Sequence, residues 1–179
     1  WDADQNARLT MFEPKTIEGL SDVVDIAYDG SATLARTRDG RVFGWGRNSM
    51  GELGLGKTTE GVLPPTEIPA LRGAKSLVVS GAGAIVKADG TVWAWGGGQQ
   101  GGLGDGHVAD TMDAPVLEPM RVPGITNAVE IKRGSFGRHI IVRPANNTLI
   151  GWGNSDWGQL GAGVIGFHQP SPKPIRLPN

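Results

Sequence analysis

Short apolar or alternating runs, four to six residues long, recur along the chain and are separated by Gly, Asp and Asn. They fall into three groups of three, and no segment has the 3.6-residue period of an amphipathic helix. Runs of this kind predict β-strands whose side chains alternate between the two faces of a sheet. The runs are 24–28, 32–37 and 41–45, then 77–80, 84–87 and 91–95, then 129–132, 139–143 and 148–152.

A two-residue turn signal separates the second run from the third in each group. It is Asp39-Gly40 in the first group, Asp89-Gly90 in the second and Asn146-Asn147 in the third. Asp-Gly between apolar runs is the strongest short-range signal for a hairpin, and Asn also tolerates the left-handed region. We therefore predict a type I′ β-hairpin at each of these positions.

Each group ends in the same twelve-residue pattern, W-G-x4-G-x-L-G-x-G, which begins at Trp45, Trp95 and Trp152. The three copies align without gaps, so composition alone does not produce them. The tryptophans are 50 and 57 residues apart, which is the range of β-propeller blades. Aromatic residues that recur at blade spacing predict core positions.

A proline-rich link follows each copy of the pattern. Proline cannot donate to a β-ladder, so the links are predicted to be edge strands or crossing loops. They divide the chain into repeat units of one propeller-type domain, with Trp1 as the tryptophan of a truncated preceding unit. The predicted boundaries are 1–22 for the end of that preceding unit, then 23–74, 75–127 and 128–179 for three full units.

The composition of the chain excludes several classes of function. The 179 residues carry a net charge of −1, which offers no basic excess for a nucleic-acid backbone, so no nucleic-acid partner is predicted. The chain has no cysteine, which excludes disulfides and cysteine chemistry, and its apolar runs are too short to span a bilayer. The modest charge, the absent cysteine and a first residue other than Met favour an exported or cell-surface bacterial protein over a cytoplasmic one.

One stretch imitates a phosphate-binding loop. Residues Gly51–Thr58 match G-x4-G-K-[ST], but the following residues, with Pro64 and Pro65, cannot form the helix that such a loop needs. Asp105 and His107 have no second histidine nearby, and no nucleophile stands in a catalytic motif. We predict no cofactor, no metal and no enzymatic activity.

The segment Ile26–Gly56, with its D-G, V-x-x-W-G and G-x-L-G-x-G elements, resembles the repeat of the regulator of chromosome condensation family, and so do the other two copies. The resemblance implies a β-propeller of four-stranded antiparallel blades, commonly seven. Three full units would leave the ring incomplete, or closed by other chains. Since free blade edges favour association, we expect self-association or association with further blades.

The positions at which the copies differ are the candidate binding residues. Trp157 stands where the other copies have Met50 and Gln100, which fits either a packed residue or an exposed anchor for binding. The turns before the second run also differ in length and character, and such variable loops on a rigid scaffold commonly bind partners. The predicted partner-binding residues are Trp157, Asp156, Phe136, Arg138, Tyr28 and Asp29.

These observations predict a non-enzymatic module that binds a protein partner through variable loops. The resemblance allows this function, because the family includes interaction propellers and a secreted β-lactamase inhibitor. It also implies an alternative, guanine-nucleotide exchange on a small GTPase, as in the founding member of the family. A hydrolase built on the propeller is a third hypothesis, for which the residues give little support.

Overall fold

The computed structural model describes residues 16–109, 113–134, 138–161, 163 and 165–175. Within these residues the chain forms β-strands and one short 3₁₀ helix, Pro69–Leu71. The strands of the first sheet are β1 Val23–Tyr28, β2 Ala32–Thr37, β3 Val42–Asn48 and β4 Thr59–Glu67. Those of the second are β5 Ala74–Ser80, β6 Ala82–Lys87, β7 Val92–Gly96 and β8 Val116–Arg121. Those of the third are β9 Ala128–Arg133, β10 His139–Pro144, β11 Leu149–Ser155 and β12 Phe167–Ile175.

Each sheet is an antiparallel meander in which strands that follow one another in sequence are neighbours. The sheets pack in succession, with β1 beside β5 and β5 beside β9, and they form an open arc. The predicted fold of four-stranded propeller blades in an incomplete ring is confirmed. Among the described residues, no helix has the length and apolar character that crossing a bilayer would require.

The outermost strand of each sheet is the proline-rich one, as the sequence predicted. β4, β8 and β12 pair on one side only and contain Pro64, Pro119 and Pro170 among their prolines. An edge strand can leave one row of backbone groups unpaired, so the missing proline donor does not break a ladder. β4 begins at Thr59, so the stretch that imitates a phosphate-binding loop leads into a strand and not a helix.

The hairpins between the second and third strands are confirmed, but the predicted type I′ turn is wrong. Gly40, Gly90 and Asn147 have φ angles of 83°, 76° and 60°, whereas Asp39 and Asp89 do not have positive φ. A type I′ turn needs positive φ at both central residues. Here the N–H of Gly40 donates to the carbonyl of Thr37 at 3.0 Å, which makes Gly40 the last residue of a four-residue turn.

The acidic or amide residue of each hairpin holds the turn through its side chain. Asp89 Oδ1 accepts from the N–H of Thr91 at 2.9 Å and from its hydroxyl at 2.7 Å. Asn146 Oδ1 accepts from the same two groups of Thr148. These bonds to the residue two positions later explain the recurrence of Asp or Asn here, and they do not require a left-handed residue at that position.

In the second and third sheets, the repeated tryptophan joins the sheet to the one before it. Trp95 and Trp152 are fully buried, and each indole N–H donates across the interface, to Glu52 O at 2.8 Å and to Gly102 O at 3.2 Å. A Cβ added at Gly54 would lie 2.9 Å from the Trp95 indole nitrogen, so this glycine leaves room for the ring. Residues of the repeated pattern therefore form the packing contacts between neighbouring sheets.

Candidate interaction edge

The turns after the first and third strands lie at the same end of each sheet, because each sheet is a meander. We call this end the upper edge, and it carries the turns that follow Tyr28, Asn48, Ser80, Gly96, Arg133 and Ser155. The upper edges of neighbouring sheets lie side by side. Asp29 accepts a hydrogen bond from Gly81 of the second sheet, and Arg133 of the third sheet donates to Ala82 of the second.

Five of the six predicted partner-binding residues lie on this edge. Tyr28 and Asp29 follow one another at the end of β1, Arg138 precedes β10, and Asp156 and Trp157 follow β11. Phe136, the sixth, lies outside the described residues. The structure thus places the five on one side of the sheets, although they come from different turns.

Trp157 is the most exposed of the described large hydrophobic residues, with 90% of its surface accessible. Its backbone is fixed in the turn, because its N–H donates to Gln159 Oε1 at 2.9 Å and the N–H of Gly158 donates to Ser155 O at 3.1 Å. Asp156 beside it accepts from Asn154 Nδ2 at 2.6 Å. The turn that carries this exposed aromatic side chain is therefore held by hydrogen bonds.

The position of the third sheet in the arc also accounts for the exposure of this turn. In the first two sheets, the equivalent turn is covered by the outermost strand of the following sheet. Gly56 N–H donates to Leu117 O at 3.1 Å, and Gly106 N–H donates to Pro170 O at 2.9 Å. The third sheet has no following sheet among the described residues, so its turn remains open.

Tyr28 is also exposed, at 71%, whereas Asp29 is held by the protein itself. Oδ1 of Asp29 accepts from the N–H and hydroxyl of Ser31 and from the N–H of Ala32, each at 2.9 Å. Its Oδ2 accepts from the N–H of Gly81 at 2.9 Å. Burial opposes the charge of Asp29, but these hydrogen bonds outweigh it and hold the pKa below its ordinary value. Asp29 thus links the first two sheets.

A cavity of about 350 Å³ opens on the upper edge, where the first strands of the three sheets end. Its lining includes Tyr28 and Asp29 together with Val79, Ser80 and Arg133. The sequence did not single out Arg133. Strand register is the signal that could have identified it. Tyr28, Val79 and Arg133 occupy equivalent positions in the first strands of their sheets. Each pairs with a residue of the second strand that in turn pairs with the repeated tryptophan.

Arg133 brings a positive charge into this cavity. Its Nη1 donates to Ala82 O at 3.3 Å, while its buried Nε has no acceptor among the described residues. Burial lowers the pKa of Arg133 to about 10, with the charge of Arg138 acting in the same direction and that of Asp29 opposing it. Burial also lowers the pKa of His139, as does the charge of Arg133. Arg133 is therefore a charged, incompletely paired group at neutral pH.

The described residues do not bring together the groups that a metal ion needs. No cluster of three or more His, Asp or Glu side chains with that geometry occurs among them. His107 instead contacts Asp113 at 3.1 Å on the surface, and His168 lies 3.8 Å from Asp156. The features of the upper edge are aromatic exposure and a cationic cavity, which suit recognition of another molecule.

Comparison with known proteins gives relatives that match most or all of this chain. The ultraviolet-B receptor UVR8 of Arabidopsis thaliana is 37% identical over 190 residues, covering 100% of this chain and 42% of the receptor. The E3 ubiquitin-protein ligase HERC2 of Homo sapiens is 30% identical over 159 residues, covering 85% of this chain and 3% of the ligase. The chain thus spans less than half the length of either relative.

Solved structures show the same fold. Prp20p from Saccharomyces cerevisiae superposes with a TM-score of 0.74 at 20% identity, covering 89% of this chain and 39% of the yeast chain. Human WBSCR16 superposes with a TM-score of 0.69 at 23% identity, covering 87% of this chain and 40% of that one.

Family models match most of the described sheets. The regulator of chromosome condensation (RCC1) repeat matches residues 39–85 and 89–141, and a second model of this repeat matches residues 23–52. These ranges contain two copies of the tryptophan-glycine pattern and most of the first two sheets. With its three blades and its inter-sheet tryptophans, this chain belongs to the RCC1 repeat family.

Proposed function

We propose that the chain is a non-enzymatic module that binds a protein partner through its upper edge. The observation that carries the proposal is the exposure of Tyr28 and Trp157, at 71% and 90%, on the same edge of the sheets. Tyr, Trp and Arg are enriched among residues that dominate binding energy, and Arg138 is also exposed there. Prp20p, which has the same fold, is described for its binding to Gsp1p and histones.

The proposal is tested by capture of partners on the immobilised chain, followed by measurement of affinity with a captured protein. Replacing both Tyr28 and Trp157 with Ala should weaken binding at least about tenfold, because each is expected to be a hot spot. Val129→Ala is the control, since Val129 is 41% exposed and lies at the other end of its sheet. Unchanged affinity in the double variant would show that the partner does not use this edge.

Guanine-nucleotide exchange is the alternative, and it has a different readout. A small GTPase loaded with a fluorescent nucleotide would release it faster in the presence of an exchange factor. Binding without faster release favours the interaction module. Export from a bacterial cell stays a prediction of composition.

We further propose that the outer face of the first sheet associates with another blade. This face, defined here as Ile26, Phe43 and Trp45, corresponds by register to Leu77, Trp93 and Trp95 of the second sheet. In the second sheet these residues lie in or against the core shared with the first sheet. Ile26 is 57% exposed, so the outer face keeps apolar surface available for a similar contact.

A further inference from the structure

The cavity on the upper edge combines three different side chains at one structural position. Tyr28, Val79 and Arg133 are register equivalents in the three sheets, and all three line the cavity. The lining therefore combines an exposed tyrosine and a guanidinium group, whereas Val79 is buried in the core between the first two sheets. This combination selects a ligand that has a negative charge next to apolar atoms.

The guanidinium of Arg133 has unused hydrogen-bonding capacity. Arginine carries five N–H donors, and the described residues supply an acceptor for one of them, the carbonyl of Ala82. Nε is buried and has no acceptor among the described residues, which is an unfavourable arrangement unless a further group satisfies the guanidinium. A carboxylate matches this need, because it can accept two parallel hydrogen bonds from one guanidinium.

The charges around the cavity favour a single negative charge. Asp29 also lines it, but its two oxygens already accept four hydrogen bonds from Ser31, Ala32 and Gly81. The positive charge of Arg138 contributes to lowering the pKa of Arg133. A group with two negative charges, such as a phosphate, would be repelled by the carboxylate of Asp29 more strongly than a singly charged carboxylate would be.

We propose that this cavity receives an acidic side chain, Asp or Glu, of a protein partner, with Arg133 as its counter-ion. The proposal rests on the proposed interaction function and names the chemistry that the partner must carry. Arg133 is the one cation in the described lining. Exposed Tyr28 would contact the apolar part of the partner beside the acidic group.

The test uses two blocked peptides, acetyl-Ser-Glu-Leu-Ser-amide and its Gln counterpart, titrated at constant ionic strength. The readout in the wild-type chain is the ¹⁵N NMR signal of the Arg133 Nε–H, and binding is also measured in Arg133→Gln and Arg133→Lys. We expect the Glu peptide to shift the signal in a saturable way and to bind about ten- to a hundredfold more tightly than the Gln peptide. Backbone signals of Gly81 and Gly134 report binding in the variants.

Arg133→Gln should abolish the preference for the Glu peptide, and Arg133→Lys should keep part of it. Arg38→Gln is the matched control, because Arg38 is exposed in the hairpin turn at the opposite end of the first sheet. If Arg133→Gln fails to fold, the comparison of the two peptides on the wild-type chain still decides.

Three results would overturn the proposal. They are equal binding of the Glu and Gln peptides, an equal loss of preference in Arg38→Gln, and binding of succinate as tight as that of the Glu peptide. The last result would assign the cavity to a small dianion. This test needs no identified partner, so it stays separate from the capture experiment. A captured partner that is lost in the Tyr28 and Trp157 double variant but unaffected by Arg133→Gln would support the edge and reject the acidic contact.

Discussion

The buried tryptophans are the residues on which the packing between sheets depends most directly. Trp95→Phe would remove a hydrogen bond of 2.8 Å to Glu52 O and leave a gap in the core shared by the first two sheets. We expect a loss of about 2 kcal/mol or more in the free energy of unfolding, from an unsatisfied carbonyl and a small cavity. Urea denaturation monitored by circular dichroism measures this loss.

Trp45→Phe is the matched control for that substitution. Trp45 has the same register in the first sheet, but it is partly exposed and its indole N–H has no acceptor among the described residues. Its replacement should cost less than about 1 kcal/mol, as is usual away from buried networks. Equal losses in the two variants would mean that the hydrogen bond between sheets does not contribute to stability.

Asp29 makes a pH-dependent contribution to stability. Its pKa is lowered in the folded chain from an ordinary value of 3.8, so its stabilising effect is present above pH 4 and is lost as pH falls through the folded value. In Asp29→Asn the amide cannot accept at both positions, and the bond to Gly81 or those to Ser31 and Ala32 are lost. We expect about 1 kcal/mol of destabilisation at pH 7, since the site is partly exposed.

The difference between wild type and Asp29→Asn should shrink as pH falls below 4. Thermal unfolding from pH 7 to pH 2 measures it. A difference that stays constant over this range would contradict the assignment of the effect to the charged carboxylate.

Contacts between residues close in sequence could be predicted from the sequence, whereas contacts between distant residues could not. Three of the four hydrogen bonds of Asp29 go to Ser31 and Ala32, but the fourth goes to Gly81, 52 residues away. The sequence showed a variable turn at Asp29 and could not show this link. Arg133 was missed for the same reason, because its position beside Tyr28 and Val79 depends on the register of three separate sheets.

The hairpins between second and third strands have different surroundings, although their local sequences are alike. A Cβ at Gly90 would lie 2.7 Å from Asn127 Cα, at the entry to the third sheet, whereas one at Gly40 would meet nothing closer than 3.8 Å. Both glycines have positive φ, which Asn tolerates better than most residues. Gly90→Asn should therefore cost about 1–3 kcal/mol through the clash, and Gly40→Asn less than about 1 kcal/mol.

Urea denaturation of the two hairpin variants separates the contribution of packing from that of the backbone. The native Asn147, at φ 60°, shows that Asn fits this turn. If Gly40→Asn were as destabilising as Gly90→Asn, backbone strain alone would account for both, and contact with the following sheet would not matter.

The hairpins also show what the sequence could establish at the scale of elements. The positions of all three were predictable, because Asp-Gly and Asn-Asn between strand-like runs have few other structures. The turn type was not, because Gly or Asn at positive φ is compatible with more than one hairpin geometry. Side-chain bonds from Asp89 to Thr91 and from Asn146 to Thr148 accompany the observed geometry.

At the scale of the whole molecule, the described residues form an open arc in which no sheet covers the outer face of the first sheet. Ile26 is 57% exposed on this face, and its equivalent Leu77 is buried against the first sheet. Since this mode of packing already occurs twice within the chain, we expect association between copies that increases with protein concentration. Sedimentation velocity over a hundredfold range of concentration measures it.

Ile26→Asp should weaken this association at least about tenfold, because a charge would be buried at the centre of the contact. Val62→Asp is the control, since Val62 is 61% exposed on the edge strand β4 and the same charge is introduced there. Edge-to-edge pairing of strands would instead be weakened by Val62→Asp and not by Ile26→Asp. A monomer at every concentration would contradict self-association, and association unaffected by Ile26→Asp would place the contact on another surface.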